Sequence, residues 1–436
     1  MRAPRWMTLL ALLLGLTLVA AACGGDEAAT PDTEAGATAD ADAGADATDA
    51  ADPAATDAAA TDAAATDAAA TDAAATDAAA TDAAATDAAA TDGGTETAAG
   101  AGAEELCTDE FSGVETPEGF RVGLVTDIGS VDDGTFNQYA NDGMEAAAEC
   151  FGFETDVIET ASEADYQANL EAILAGEPDA VVTVGFLLGD ATLQFAESNP
   201  DVAFIGVDQF QPEYPDNYVG IQFREDQGGY LAGTMAGLLT ESGVLGVVAG
   251  RQDVPPVVRL ANGFEAGAKA IDPEITVQIV YHESFSDPAA GQSTATQMLG
   301  EGADVIFGAG GPTGSGGVQA AADAGAWGIG VDQDEYFTTF GGGSRAGADR
   351  LATSAIKRVD LGVFLQIAAV LDGSFTGDTF TLTAENGGIT YAPPHDADIP
   401  ADVIEQLEEV RQGLADGSIE TGLDPATGLP LEEATE

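Results

Sequence analysis

The sequence predicts an α/β fold of two lobes, each a parallel sheet flanked by helices, following a disordered N-terminal tether. Three observations carry this. From Arg121 onward, nine apolar runs of five to seven residues alternate with amphipathic segments. The runs are β-branched and near-continuously apolar, the pattern of strands covered on both faces. The pentapeptide Ile-Gly-Val-Asp-Gln occurs at 205–209 and again at 329–333, each time closing a strand-like run, as if one lobe echoed the other.

The amino terminus comes first. Arg2 and Arg5 precede an apolar run from Trp6 to Ala22, which reads as an export segment and is too short and wrongly flanked to span a bilayer. It ends Leu18-Val19-Ala20-Ala21-Ala22-Cys23-Gly24, resembling a bacterial lipoprotein signal, so residues 1–22 are expected to be removed and Cys23 lipidated; plain secretion is the alternative. A lipid on Cys23 would place the chain on the extracytoplasmic face of the cell membrane without a spanning helix.

Residues 23–105 read as a tether. Thr-Asp pairs recur at 56, 61, 66, 71, 76, 81, 86 and 91. A five-residue period advances about 140° beyond a full turn of helix, so the aspartates would scatter over every face and no apolar stripe can form. Such a segment stays solvated and self-repelling, and its roughly 80 residues would span on the order of 50 Å. A spacer lifting a domain off a membrane and a repeat of unselected length fit equally.

The formal net charge is -64, from 76 acidic residues against 12 Lys and Arg. This disfavours nucleic acid as a partner. Of the acids, 20 precede Leu106 and 56 follow it, so the acidity belongs to the folded part as well. Lysine is confined to Lys269 and Lys357. His282 and His395 are the only histidines and neither sits at ligand spacing, so no metal is expected. Beyond Cys23, the cysteines are Cys107 and Cys150; in an exported chain they read as a disulfide, with two independent thiols as the alternative.

In the folded region, strands are expected at 122–126, 156–160, 181–185, 203–207, 218–223, 244–249, 275–281, 304–309 and 327–331. Helices are expected at Phe136 to Cys150, Glu163 to Ala175, Asp226 to Thr240, Val257 to Ala270, Pro288 to Gly300 and Leu351 to Leu371. One lobe would comprise 106–227 with about 350–375, the other 228–335 with about 376–430, with crossings near 224–230, 334–350 and 372–378. Asp127, Asp208 and Asp332 each end a strand run. Ligands bind outside the carboxyl ends of parallel strands, so the three would meet in one crevice; capping of the next helix is the bland reading of each. Asp133 reads as a cap, and Asp132 and Asp334 as structural.

The stretch Gly308 to Gly317 is rich in glycine and is expected as a loop before a helix Val318 to Ala324. It matches neither G-x-G-x-x-G nor a P-loop, so no nucleotide cofactor is expected. No nucleophile–base pair is visible either, which argues against an enzyme.

Val122-Gly-Leu-Val-Thr-Asp127-Ile-Gly-Ser-Val-Asp132-Asp133-Gly-Thr-Phe136-Asn137 resembles the opening motif of the BMP/Med (basic membrane protein) family of solute-binding lipoproteins. The likeness continues through Ala232 to Thr240, Ser284 to Pro288, the glycine stretch, Gly330 to Asp334, Thr353 to Asp360 and Asn386 to Ile389, about 300 residues in order. Thr135 replaces the family's usual Ser, and residues 337–348 have no counterpart. The resemblance implies a type I periplasmic-binding fold closing on a purine nucleoside, and as partners an ABC permease with its ATPase subunit. It implies a monomer held at the membrane by its lipid. Carried over by position, Phe136 and Phe285 would sandwich the base, and Asn137 and Asp208 would read its polar edge. Asp332 and Lys357 would hold the ribose with help from the Gly311 backbone, and Asp127 would line the pocket. Lys357 would also offset the crowded carboxylates. The same fold with riboflavin, a sugar or a nucleobase remains the alternative, as does a surface antigen without transport.

Overall fold

The computed structural model describes residues 103–431. The export segment, Cys23 and nearly all of the tether therefore lie outside the described residues. A short helix α1 (Ala103–Leu106) leads into β1 (Arg121–Ile128), α2 (Phe136–Phe151), β2 (Glu154–Thr160), α3 (Tyr166–Leu174), β3 (Ala180–Val184), α4 (Gly189–Ser198), β4 (Ala203–Val207) and β5 (Tyr218–Phe223). The chain then crosses into α5 (Glu225–Leu239), β6 (Val244–Ala249), α6 (Pro255–Ile271), β7 (Thr276–Tyr281), α7 (Pro288–Gly300), β8 (Val305–Ala309), α8 (Gly311–Asp323), β9 (Trp327–Asp332) and β10 (Leu351–Lys357). It finishes with α9 (Val359–Asp372), β11 (Thr379–Leu382), β12 (Ile389–Tyr391) and α10 (Ala401–Asp416).

Two six-stranded sheets result, ordered β11-β5-β4-β3-β1-β2 and β12-β10-β9-β8-β6-β7. Every pairing is parallel except β10 with β12. The central strands β3, β8 and β10 are buried at every residue, whereas the edge strands β2 and β7 are half exposed. Helices cover both faces: α2 and α9 share a core with α5 and α6, while α3 and α4 cover the outer face of the first sheet and α7 and α8 that of the second. Each sheet reverses its winding beside its first strand, at β1/β3 and at β6/β8, which opens a crevice at the carboxyl ends.

Two expectations change. Leu351–Lys357 is strand β10, not the start of a helix, and it pairs with β9 and β12 in the second sheet. The run is apolar and Ala-containing, which suits helix on propensity, but its hydroxyls are spent on neighbouring chain: Thr353 Oγ1 donates to Ala392 O at 2.6 Å and Ser354 Oγ accepts Glu335 N–H at 3.1 Å. Lobe membership shifts with it. The segment 334–350 stays within the second lobe, the second crossing falls at Arg358 between β10 and α9, and β11 returns to the first sheet rather than the second.

The second change is at the glycines. Helix α8 begins at Gly311, so most of the expected loop is helical. Its glycines permit close helix packing: a Cβ on Gly316 would lie 2.2 Å from Pro288 O, and one on Gly291 of α7 1.8 Å from Thr313 O. Cys107 and Cys150 form a disulfide, with Cα atoms 5.6 Å apart, tying the start of the fold to the last turn of α2.

Candidate functional site

The carboxyl ends of β1, β4, β9 and β10 deliver Asp127, Asp208, Asp332 and Lys357 into one cleft between the lobes. Its empty space is about 680 Å³, part of it open to solvent. Phe136 and Asn137 enter from the first turn of α2, Phe285 from the loop before α7 and Gly311 from the start of α8. All eight residues singled out in the sequence line this cleft.

The repeated pentapeptide has a backbone cause. Asp208 and Asp332 both adopt left-handed φ values, 61° and 67°, a conformation that Asp tolerates better than most residues. The turn aims each carboxylate into the cleft and sends the following glutamine the other way. Gln209 Nε2 donates to Gly185 O at 3.0 Å, and Gln333 Nε2 donates to Thr135 O at 3.1 Å, the latter across the two lobes.

Lys357 is 3% exposed. Its Nζ lies 2.6 Å from Asp208 Oδ2 and 3.1 Å from Glu225 Oε1, and within 4.9 Å and 4.8 Å of the Phe136 and Phe223 ring centroids. Burial pulls the lysine down, but Asp208, Glu225 and Asp332 outweigh it and hold it above its ordinary value, so it is a fixed cation. Glu225 was not legible as a site residue. It sits at the first crossing, Arg259 Nε donates to its Oε2 at 2.6 Å, and these two cations overcome burial to keep it below its usual range. The run Arg224-Glu225-Asp226 at a lobe crossing was the available signal.

The remaining carboxylates are less well compensated. Burial pushes Asp332 up to about 7, with Lys357 opposing and Asp208 adding to the rise. Burial likewise takes Asp208 to about 6 against the pull of Lys357. Asp208 Oδ1 is buried without a hydrogen-bond partner among the described residues. Asn137 is largely committed inside the protein: its Oδ1 accepts the Asp127 N–H at 2.9 Å and its Nδ2 donates to Asp133 Oδ2 at 3.0 Å. One Nδ2 hydrogen therefore remains for a ligand. Asp133 accepts the backbone N–H groups of Thr135, Asn137 and Gln138, capping α2 while also lining the cleft.

The walls are apolar. Phe285 stands over Gly250, where a Cβ would lie 2.2 Å from the ring, and Val254, Val257, Leu260 and Val331 complete the second-lobe side. Phe186, directly after β3 and 36% exposed, also lines the cleft; the Gly-Phe pair closing a buried run was its only mark in the sequence. Among the described residues, no cluster of His, Cys, Asp and Glu could hold a metal ion.

Residues 120–414 match the Bmp family, ABC transporter substrate-binding protein PnrA-like. The chain belongs to the Bmp family. A CD4+ T-cell-stimulating antigen of Listeria monocytogenes is 33% identical over 324 residues, covering 70% of this chain and 89% of that protein. The ABC transporter nucleoside-binding protein BmpA of Lactococcus lactis subsp. cremoris is 30% identical over 319 residues, covering 69% and 88%. An ABC transporter solute-binding protein from Aeropyrum pernix has a similar structure, with TM-score 0.62 and 26% identity over 69% of this chain and 92% of that one. As a Bmp-family member, this chain is an extracytoplasmic solute-binding protein of an ABC transporter. Among the described residues, no helix is long and apolar enough to cross a membrane.

Proposed function

We propose that the cleft captures a purine nucleoside and that the chain, lipid-anchored through Cys23 on the outer face of the cell membrane, presents it as a monomer to an ABC permease and its ATPase subunit. The observation that carries this reading is the pairing of aromatic walls with buried carboxylates. Phe136 from the first lobe and Phe285 from the second line one cleft with Asp332 and Asp208, and Asp208 Oδ1 is buried without a hydrogen-bond partner among the described residues. A purine is a flat aromatic and its ribose a vicinal diol, so rings and acceptors are both used. Stacking contributes roughly 1 to 3 kcal/mol per base and a hydrogen bond to a charged group about 1.5 to 3 kcal/mol.

In this reading Phe136 and Phe285 sandwich the base and Asp332 accepts from the ribose hydroxyls. Asp208, held by Lys357, offers its free oxygen, while Asn137 and the Gly311 N–H supply donors and Asp127 a further acceptor. The Lactococcus relative, whose name specifies nucleoside binding, supports the ligand class.

A thermal-shift panel of guanosine, inosine, adenosine, cytidine, riboflavin, ribose and guanine tests it. A ligand at 100 times its Kd adds about 2.7 kcal/mol of stability. The purine nucleosides should raise Tm most; a response confined to riboflavin, ribose or guanine would replace the nucleoside with that ligand.

A further inference from the structure

Asp127 is gripped from behind by a tyrosine that stands outside the cleft. Its Oδ1 accepts two hydrogen bonds, from Tyr166 Oη at 2.5 Å and from the Ile128 N–H at 2.7 Å. Its own N–H donates to Asn137 Oδ1 at 2.9 Å. Its Oδ2 occupies the space a side chain at residue 185 would need, since a Cβ there would fall 2.1 Å away, and Gly185 has φ +99°. Tyr166 does not line the cleft. It opens α3, its ring is buried with Val125, Leu170, Phe204 and Tyr218 in the outer core of the first lobe, and its hydroxyl emerges from that core onto the carboxylate.

We infer that Tyr166 is a positioning residue for ligand capture: its hydroxyl locks the Asp127 carboxyl group in one rotamer and in the ionised, acceptor form, leaving Oδ2 for a ligand hydroxyl or N–H. The inference rests on the cleft being the ligand site.

A second consequence concerns protons. Burial pushes Asp127 up to about 6, while the hydrogen bonds from Tyr166 and Ile128 pull it down. The other groups facing the pair are Asp208 from the end of β4 and Glu163 from the turn before α3, which both raise Asp127, and Arg251 from the second lobe, which acts on Tyr166. Removing the hydroxyl therefore moves Asp127 further up, towards neutral pH. A protonated Asp127 is a poorer acceptor, so capture should fail at a higher pH than in the natural protein.

The test is Tyr166→Phe in the full chain, which keeps the buried ring. Binding of inosine and guanosine is titrated from pH 5 to pH 8.5, and the Asp127 carboxyl carbon is titrated by NMR without ligand. Affinity should drop about tenfold at pH 6 and about twofold at pH 8.5, with the acid limb and the Asp127 titration both moved to higher pH. In an Asp127→Asn background the same substitution should have no further effect. Site-specific 3-fluorotyrosine at 166, a stronger donor of the same shape, should move the Asp127 titration the other way and covers the case in which Tyr166→Phe does not fold. An unchanged Asp127 titration in both variants would overturn the inference. Absence of nucleoside binding in the unmodified protein would instead overturn the ligand assignment and leave the carboxyl titration to decide the role of Tyr166.

Discussion

Lys357 Nζ and Asp208 Oδ2 meet at 2.6 Å with both side chains at most 6% exposed, joining the end of β10 in the second lobe to the end of β4 in the first. The pair is buried, it spans the lobes, and Glu225 extends it to Arg259. Lys357 and Asp208 therefore line the cleft and join the two lobes at once.

Replacing Lys357 by Met should be costly even without ligand. It strands Asp208 and Glu225 in a water-poor site, and breaking a buried ion pair from one side costs about 3 to 5 kcal/mol. A urea titration should show a lower midpoint with unchanged slope. Adding Asp208→Asn should restore part of the loss, because the second change removes one orphaned charge.

Asp332 should act in the opposite direction. Its folded pKa, about 7, lies above that of an unfolded aspartate, so between about pH 4 and pH 7 the folded state holds more protons. Stability contributed by this group is intact below about pH 4, falls as pH rises through 7, and leaves a penalty above it. Asp332→Asn should stabilise the ligand-free protein at pH 8, by about 4 kcal/mol at most, and flatten the pH profile over that window. Denaturant titrations at pH 4, 6 and 8 check the sign; a variant less stable than the parent at pH 8 would show that Asp332 is compensated in some other way.

Two contacts hold the lobes together beside the cleft. Arg251, from the end of β6, pairs with Glu163 of the first lobe as well as Asp253 of its own, and Gln333 donates to Thr135 O. Arg251→Ala should weaken ligand binding only severalfold, because the pair is partly exposed and worth about 0 to 1 kcal/mol. The effect should appear as faster dissociation and shrink in high salt, which stopped-flow measurements at two ionic strengths would resolve.

The Cys107–Cys150 disulfide closes a loop of 43 residues, and loop-closure entropy puts its contribution at about 4 kcal/mol. Neither cysteine lines the cleft. Reduction, or Cys107→Ser with Cys150→Ser, should lower Tm by several degrees and leave ligand affinity within about twofold at 25 °C.

Periodicity exposed what depends on local patterning. The nine expected strands are all present because each is a short run rich in apolar and β-branched residues, and the three strand-end aspartates share one cleft because parallel sheets collect their carboxyl ends. Long-range pairing hid the rest. Leu351–Lys357 reads as helix locally and becomes strand because β9 and β12 flank it; β11 and β12 are too short to carry a pattern. Glu225 is 132 residues from Lys357 in sequence, and nothing local says they touch. Asn137 looked like a ligand-reading amide, but most of its hydrogen-bonding capacity goes to Asp127 and Asp133, a partition that depends on the turn at 129–134.

The most direct test of the account is a calorimetric titration of guanosine and inosine into the purified chain and into Asp332→Ala. Saturable one-to-one binding to the parent protein, lost in the variant while its fold is retained, is the predicted result. No heat with either nucleoside in the parent, or an affinity undiminished in Asp332→Ala, would contradict it.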